Sequence, residues 1–196
     1  MFTGIIQEVG NITQIKKEDW FYFTIASSQV LKSAKIGSSI AVDGVCLTVL
    51  EFDEHEFTVQ VMPETVEKTS FANKKVGDQV NLESSLKIGD SLDGHFVMGH
   101  VDGVGNVIEI VSDHDNWVIR IQPHPQLMKY IAYKGSIAVN GTSLTVSNRT
   151  DTYFEVSLIK HTLENTNLGQ LSVANQVNLE VDMFARYIEN LTKNQS

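Results

Sequence analysis

Apolar and polar positions along the chain follow a short period. Trp20-Phe21-Tyr22-Phe23-Thr24-Ile25, Ser39 to Val42, Val45 to Glu51, Phe57 to Met62 and Gln79 to Leu82 are compact runs rich in β-branched or aromatic residues. Runs of this kind, bounded by turn formers, predict strands. Gly4 to Ile12 alternates more loosely and predicts a sixth. Asp43-Gly44 is a two-residue hairpin signal between two of them. Glu64 to Ala72 predicts one or two helical turns. Six short antiparallel strands with tight turns predict a small closed barrel or a sandwich, and the barrel is favoured because closure removes exposed sheet edges.

The same pattern then returns. Ser38-Ser39-Ile40-Ala41-Val42-Asp43-Gly44-Val45-Cys46-Leu47-Thr48-Val49 is matched at eight of twelve positions by the segment from Gly135 to Val146, at an offset of 97 residues. Val80-Asn81-Leu82-Glu83 returns as Val177-Asn178-Leu179-Glu180 at the same offset. An offset of 95 relates Gly4, Val9, Gly10 and Asn11 to Gly99, Val104, Gly105 and Asn106. A unit this long is a small domain, not a solenoid repeat. The second unit predicts strands at Asn116 to Ile121 and Tyr153 to Ile159, a helical turn at Gln126 to Ala132, and a hairpin around Asn140-Gly141. The fold class read from the pattern is all-β, with barrels at 1–96 and 97–182 and a tail at 183–196. In that tail Met183, Phe184, Tyr187, Ile188 and Leu191 recur at helical spacing, predicting an amphipathic helix of about three turns. It has no counterpart in the first unit, so its apolar face is expected to pack on another subunit.

Composition narrows the setting. The net charge of −9 argues against nucleic acid or an anionic membrane surface as partner. A single cysteine, Cys46, leaves no intramolecular disulfide and fits a reducing compartment. With neither a basic-apolar leader nor a long apolar run, the expectation is a cytoplasmic protein.

Candidate chemistry gathers in two places. Cys46 and Ser143 occupy the same repeat position. A thiol against a hydroxyl indicates that the two units have diverged, although burial as a small apolar residue is the usual state of a free cysteine. Gly94-His95-Phe96-Val97-Met98-Gly99-His100-Val101-Asp102 is a glycine-rich bridge after the polar linker 86–93. Glycines in an extended segment mark bulges or close backbone approach. In a regular strand His95 and His100 face opposite sides, which leaves one of them to face a pocket. Ser39, Thr48 and Thr65 recur as Ser136, Thr145 and Thr162, hydroxyls suited to a polyhydroxylated or heteroaromatic ligand. Lys134 and Lys160 read as surface lysines on pattern alone. The histidines and lone cysteine lack the paired spacing of a metal site, and the glycine run lacks the Lys-Ser/Thr ending of a phosphate loop.

Together Met1-Phe2-Thr3-Gly4-Ile5, the paired hairpins, the bridge and His161-Thr162-Leu163-Glu164-Asn165-Thr166-Asn167-Leu168-Gly169 resemble the riboflavin synthase alpha-chain family, over essentially the whole chain. That resemblance implies two tandem six-stranded Greek-key barrels with a C-terminal α-helix that assembles a homotrimer. It implies a transferase that dismutates two molecules of 6,7-dimethyl-8-ribityllumazine by four-carbon transfer, without redox cofactor or metal. One position departs from the family pattern: Leu92-Asp93-Gly94-His95 stands where a paired glycine is commoner.

Carried over by motif, the resemblance implies a pocket on the N-terminal barrel from Gly4, Ile5, Ile6, Ser39, Cys46, Leu47, Thr48, Gln60, Val61, Met62, Pro63, Glu64, Thr65, Gly99, His100 and Val101. His100 is the candidate for proton transfer, with Cys46, Ser39 or water as nucleophile or polar partner. A second pocket, on the C-terminal barrel, would hold Lys134, Ser143, Leu144, Thr145, Ser157, Leu158, Ile159, Lys160, His161, Thr162 and Asp182. The active site would form between the N-terminal barrel of one subunit and the C-terminal barrel of its neighbour. Two other readings compete: a non-catalytic lumazine- or flavin-binding antenna protein, and a structural module with no ligand. Retention of Cys46, His100, Ser143 and Thr145 favours the enzyme.

Overall fold

The structure, a computed structural model, describes residues 1–113 and 116–193. Positions 194–196 of the predicted tail lie outside the described residues. The first unit contains β1 (Glu8–Lys17), β2 (Phe21–Ala26), β3 (Ser39–Val42), β4 (Val45–Phe52), β5 (Glu56–Val61), α1 (Pro63–Lys68) and β6 (Gln79–Ser84). The second contains β7 (Gly103–Asp113), β8 (Asn116–Pro123), β9 (Ser136–Val139), β10 (Thr142–Arg149), β11 (Phe154–Leu158), α2 (Lys160–Asn165) and β12 (Gln176–Val181). An α-helix, α3 (Met183–Lys193), follows.

Each unit closes into a six-stranded antiparallel barrel in the order β1-β2-β5-β4-β3-β6, and the equivalent order in the second. Strands β3, β4 and β5 are joined in sequence and β2 lies beside β5, which is a Greek key. Inward positions carry the core. Val45, Leu47 and Val49 of β4 and Phe57, Val59 and Val61 of β5 are buried with Phe23, Phe71 and Leu82. Asp43 and Asn140 both have φ of 45°, and Gly44 and Gly141 follow at 79° and 77°. Two successive positive φ values are what a two-residue hairpin of this twist requires. The first strand differs from the expected Gly4 to Ile12: it starts at Glu8 and runs to Lys17, and ahead of it the Gly4 N–H goes to the Glu83 carboxylate and the Ile5 N–H to the Thr3 hydroxyl.

The barrels pack against each other through equivalent residues of the two repeats. Phe2, Ala41, Val97 and Ala138 form a small shared core against which Cys46 packs. Around it runs a buried polar net. The Asn81 amide group donates to the Asn140 carbonyl at 2.9 Å, and that of Asn178 donates to the Asp43 carbonyl at 2.9 Å. Asp43 Oδ1 accepts from the Asn81 N–H and from Asn167 Nδ2, each at 2.8 Å. Lys74 Nζ lies 2.6 Å from Asp43 Oδ2. The repeat counterparts of that ion pair are Asn140 and Leu171, so the second barrel has a neutral version of the same joint.

Candidate active site

The period of two that buries Val45, Leu47 and Val49 turns Cys46 and Thr48 outward, onto the barrel's outer face. Cys46 is therefore half-buried rather than a core residue. On β5, Gln60 points outward by the same rule. Trp20, Met62 and α1 wall the groove, and residues 99–101 cross it as a strap. Two adjoining cavities result. One of about 240 Å³ is lined by Cys46, Leu47, Glu64, Thr65, Lys68, Gly99, His100 and Val101. The other, about 370 Å³, is lined by Trp20, Cys46, Leu47, Thr48, Leu50, Gln60, Met62 and Thr65. Volumes of this order suit a small heterocycle.

Most of the candidate set for this barrel meets here, with exceptions. Val61 is wholly inside the core, and Pro63 opens α1. Ser39 is the cross-strand partner of Thr48 and does not line either cavity. Gly4, Ile5 and Ile6 were expected on this barrel, and the structure corrects the placement of Gly4: its carbonyl accepts from the Ser143 N–H at 2.7 Å, on the C-terminal barrel. A Cβ on Gly4 would lie 2.6 Å from Ser143 Cβ, so the contact is backbone to backbone. Gly99 repeats this on the other side: its carbonyl accepts from the Cys46 N–H at 2.9 Å, and a Cβ there would lie 2.5 Å from Cys46 Cβ. The straps are crossed, each covering one barrel while held by the other.

The holders are two carboxylates that the sequence reading missed. Glu83 of β6 accepts from the Thr3 N–H and hydroxyl, both at 2.7 Å, and from the Gly4 N–H at 3.0 Å. Glu180 of β12 accepts from the N–H groups of Met98 (2.7 Å), Gly99 (2.9 Å) and His100 (3.0 Å). Burial pushes both carboxyl groups above the usual range, and the N–H groups oppose that shift. The signal was present: Val-Asn-Leu-Glu repeats intact, with a carboxylate in an otherwise strand-like run.

The bridge is not a regular strand, and its two histidines serve different barrels. His100 lines the Cys46 cavity. His95 serves the other barrel, with Nδ1 2.7 Å from Ser143 Oγ and its N–H bonded to the Thr3 carbonyl at 3.1 Å. Burial lowers the pKa of His95, against the pull of nearby Asp182. At the departure from the family pattern Asp93 is exposed, while Gly94 lies at Thr3 and Ser143.

On the C-terminal barrel, Ser143, Thr145 and Ser157 occupy the equivalent non-core positions on β10 and β11, beside α2 with Lys160, His161 and Thr162. Leu158 belongs to the core. Ile159 is exposed, and Leu144 packs partly against the core. Lys134 has φ of 62° where its repeat counterpart is Gly37 at 85°. Lys134 is exposed, and it holds a left-handed backbone conformation that favours glycine. A polar cleft of about 490 Å³ between the barrels is lined by none of the candidate residues. Among the described residues no helix is long and apolar enough to cross a membrane, and no cluster of three or more His, Cys, Asp or Glu could hold a metal ion.

The arrangement matches known proteins along its length. The Lumazine binding domain family matches residues 3–85 and 98–182. The riboflavin synthase of Actinobacillus pleuropneumoniae is 46% identical over 96% of this chain and 88% of its own. That of Schizosaccharomyces pombe is 37% identical over 98% and 94%, and that of Mycobacterium bovis 41% over 98% of each. The crystal structure of LumP complexed with riboflavin superposes with a TM-score of 0.86 at 28% identity, covering 92% of this chain and 99% of that one. LumP complexed with 6,7-dimethyl-8-(1'-D-ribityl) lumazine gives 0.84 at 27%, with the same coverage. The chain belongs to the riboflavin synthase family, a tandem of two lumazine binding domains.

Proposed function

We propose that the protein is a riboflavin synthase acting on two molecules of 6,7-dimethyl-8-ribityllumazine. The reaction moves a four-carbon unit from one lumazine to the other, giving riboflavin and 5-amino-6-(D-ribitylamino)uracil. One substrate must lose a proton from its C7 methyl group, leaving a carbanion delocalised into its own ring. The other must be made electrophilic at C7 by addition of a nucleophile. Both steps need two rings held against each other, which positioning groups and a proton acceptor supply.

The observation that carries this reading is the convergence of Cys46 and His100 on one groove. They arrive from different barrels: Cys46 on β4, and His100 on a strap whose N–H groups are held by Glu180. In this reading His100 moves the proton, and Cys46 or a water adds to the ring. Gln60, Thr48 and Thr65 offer hydrogen bonds to the heterocycle or ribityl chain. Ser143, Thr145, Lys134, Asp182 and Ile5 serve the second lumazine on the C-terminal barrel. The site is completed between subunits of a homotrimer. That assembly is supported by α3, whose Phe184, Tyr187, Ile188 and Leu191 are all more than half exposed. The free thiol at Cys46 suits a reducing compartment, and the cytoplasm is the one proposed.

The antenna reading remains the alternative, because LumP shares the fold and is complexed with lumazine in a solved structure. The two part on one product. Incubation with 6,7-dimethyl-8-ribityllumazine alone, followed by chromatography for the aminouracil, yields that compound from an enzyme. A binding protein returns the lumazine intact.

A further inference from the structure

The two straps are held alike by Glu83 and Glu180, and then they part company. The strap that ends on His100 is gripped again, from the C-terminal helix. Arg186 Nη2 donates to the His100 carbonyl oxygen at 2.9 Å and to Asp102 Oδ2 at 2.6 Å. Asp102 Oδ2 also accepts the Val181 N–H at 2.8 Å, which ties the strap's far end to the last residue of β12. One residue before Ala185, the Phe184 ring packs edge-on to Phe96 at 6.2 Å. The first unit has no helix equivalent to α3, and the counterpart of His100 on the other strap is Ile5.

We propose that Arg186, together with Glu180, is a positioning residue for His100. The two ionic side chains take both polar groups of the same residue's backbone: Glu180 accepts its N–H and Arg186 donates to its C=O. A backbone unit held from both ends has no freedom to swing, so the imidazole is presented to the Cys46 groove at a fixed place. Charge-assisted hydrogen bonds are the strong kind, and a small displacement of a reacting group is costly in rate. The proposal gives α3 a second role. Its apolar residues face outward, while Arg186 turns inward to the strap, so one helix links assembly to the geometry of the groove. It rests on the reading in which His100 acts on the substrate.

The test uses the full chain and 6,7-dimethyl-8-ribityllumazine. Steady-state kinetics are measured for wild type, Arg186→Met, His100→Gln and the double variant, with sedimentation and thermal midpoint for each. Arg186→Met keeps the aliphatic stem and the outward face of α3. The expected result is a fall in kcat of about tenfold or more in Arg186→Met with a much smaller change in KM, and a double variant no slower than His100→Gln alone. Arg186→Lys, which keeps a donor and the charge, is expected to recover part of the rate. Wild-type kcat in Arg186→Met, or a defect that multiplies onto that of His100→Gln, overturns the proposal. If Arg186→Met alters the sedimentation, Glu180→Gln carries the same comparison, since it lies away from the outer face of α3. A His100→Gln variant that turns over at the wild-type rate overturns the role of His100 and this proposal together. An impaired His100→Gln beside an unimpaired Arg186→Met overturns the positioning alone.

Discussion

His95 Nδ1 stands 2.7 Å from Ser143 Oγ, whereas Cys46, the repeat counterpart of Ser143, shares a cavity with His100. Two repeats of one barrel have thus acquired two histidines in different relations to the same position. At Ser143 the imidazole is a half-buried hydrogen-bond partner, and at Cys46 it lines a cavity.

The first pair has a pH signature. Burial holds the pKa of His95 below its ordinary 6.5. Between that lowered value and 6.5 the unfolded chain binds a proton that the folded chain does not. The contribution of His95 is therefore complete above 6.5 and is lost as pH falls through that window. Urea unfolding at a series of pH values should show wild type losing stability on the acid side, with a shallower loss in His95→Gln. Equal slopes would contradict a buried neutral imidazole.

The second pair has a kinetic one. Cys46→Ala or His100→Ala should leave the thermal midpoint nearly unchanged, because His100 is exposed on its strap and Cys46 points away from the barrel core. Turnover should fall on the order of 10²-fold or more, the usual scale for a lost proton-transfer group or nucleophile. Normal turnover in both would remove these two residues from the chemistry.

The joint between the barrels offers a test that the repeat itself supplies. Asp43 is fully buried and paired with Lys74. Asp43→Asn strands a largely buried lysine and should cost about 3–5 kcal/mol, the scale for removing one member of a buried pair. Adding Lys74→Leu reproduces the Asn140 and Leu171 arrangement of the other barrel and should recover most of the loss. Denaturant midpoints for the single and double variants decide it, and a double variant as weak as Asp43→Asn would show that the two joints are not equivalent.

The outward face of α3 predicts assembly. Ile188→Asp places a charge among Phe184, Tyr187 and Leu191 without touching Arg186. Sedimentation should shift from the proposed trimer to monomer, with ligand binding retained and turnover lost. An intact trimer would place the interface elsewhere.

Much of this fold was legible in the chain. The Asp43-Gly44 and Asn140-Gly141 turns announce their hairpins, and the 97-residue offset announces two barrels. The site was less legible, for physical reasons. An offset of 95 equates Gly4 with Gly99 but does not say which barrel each strap covers, and crossing is a property of the packed pair. Glu83 and Asn81 alternate with Val80 and Leu82, yet all four are buried, because the outer face of β6 meets the neighbouring barrel rather than water. Periodicity alone reads such a face as solvated. Arg186 likewise falls on the polar side of an amphipathic helix, and only the folded chain brings that side to the His100 carbonyl. The thiol at Cys46 was placed by alternation, once the strand register was known.

The most direct test of the central claim is stoichiometry. Purified protein is incubated with 6,7-dimethyl-8-ribityllumazine and no added cofactor, and lumazine loss and riboflavin gain are followed by absorbance and chromatography. The account predicts one riboflavin for every two lumazines consumed, with the aminouracil appearing in equal amount to the riboflavin. Tight binding of lumazine with no riboflavin formed would contradict it and make the protein a carrier or antenna built on the same two barrels.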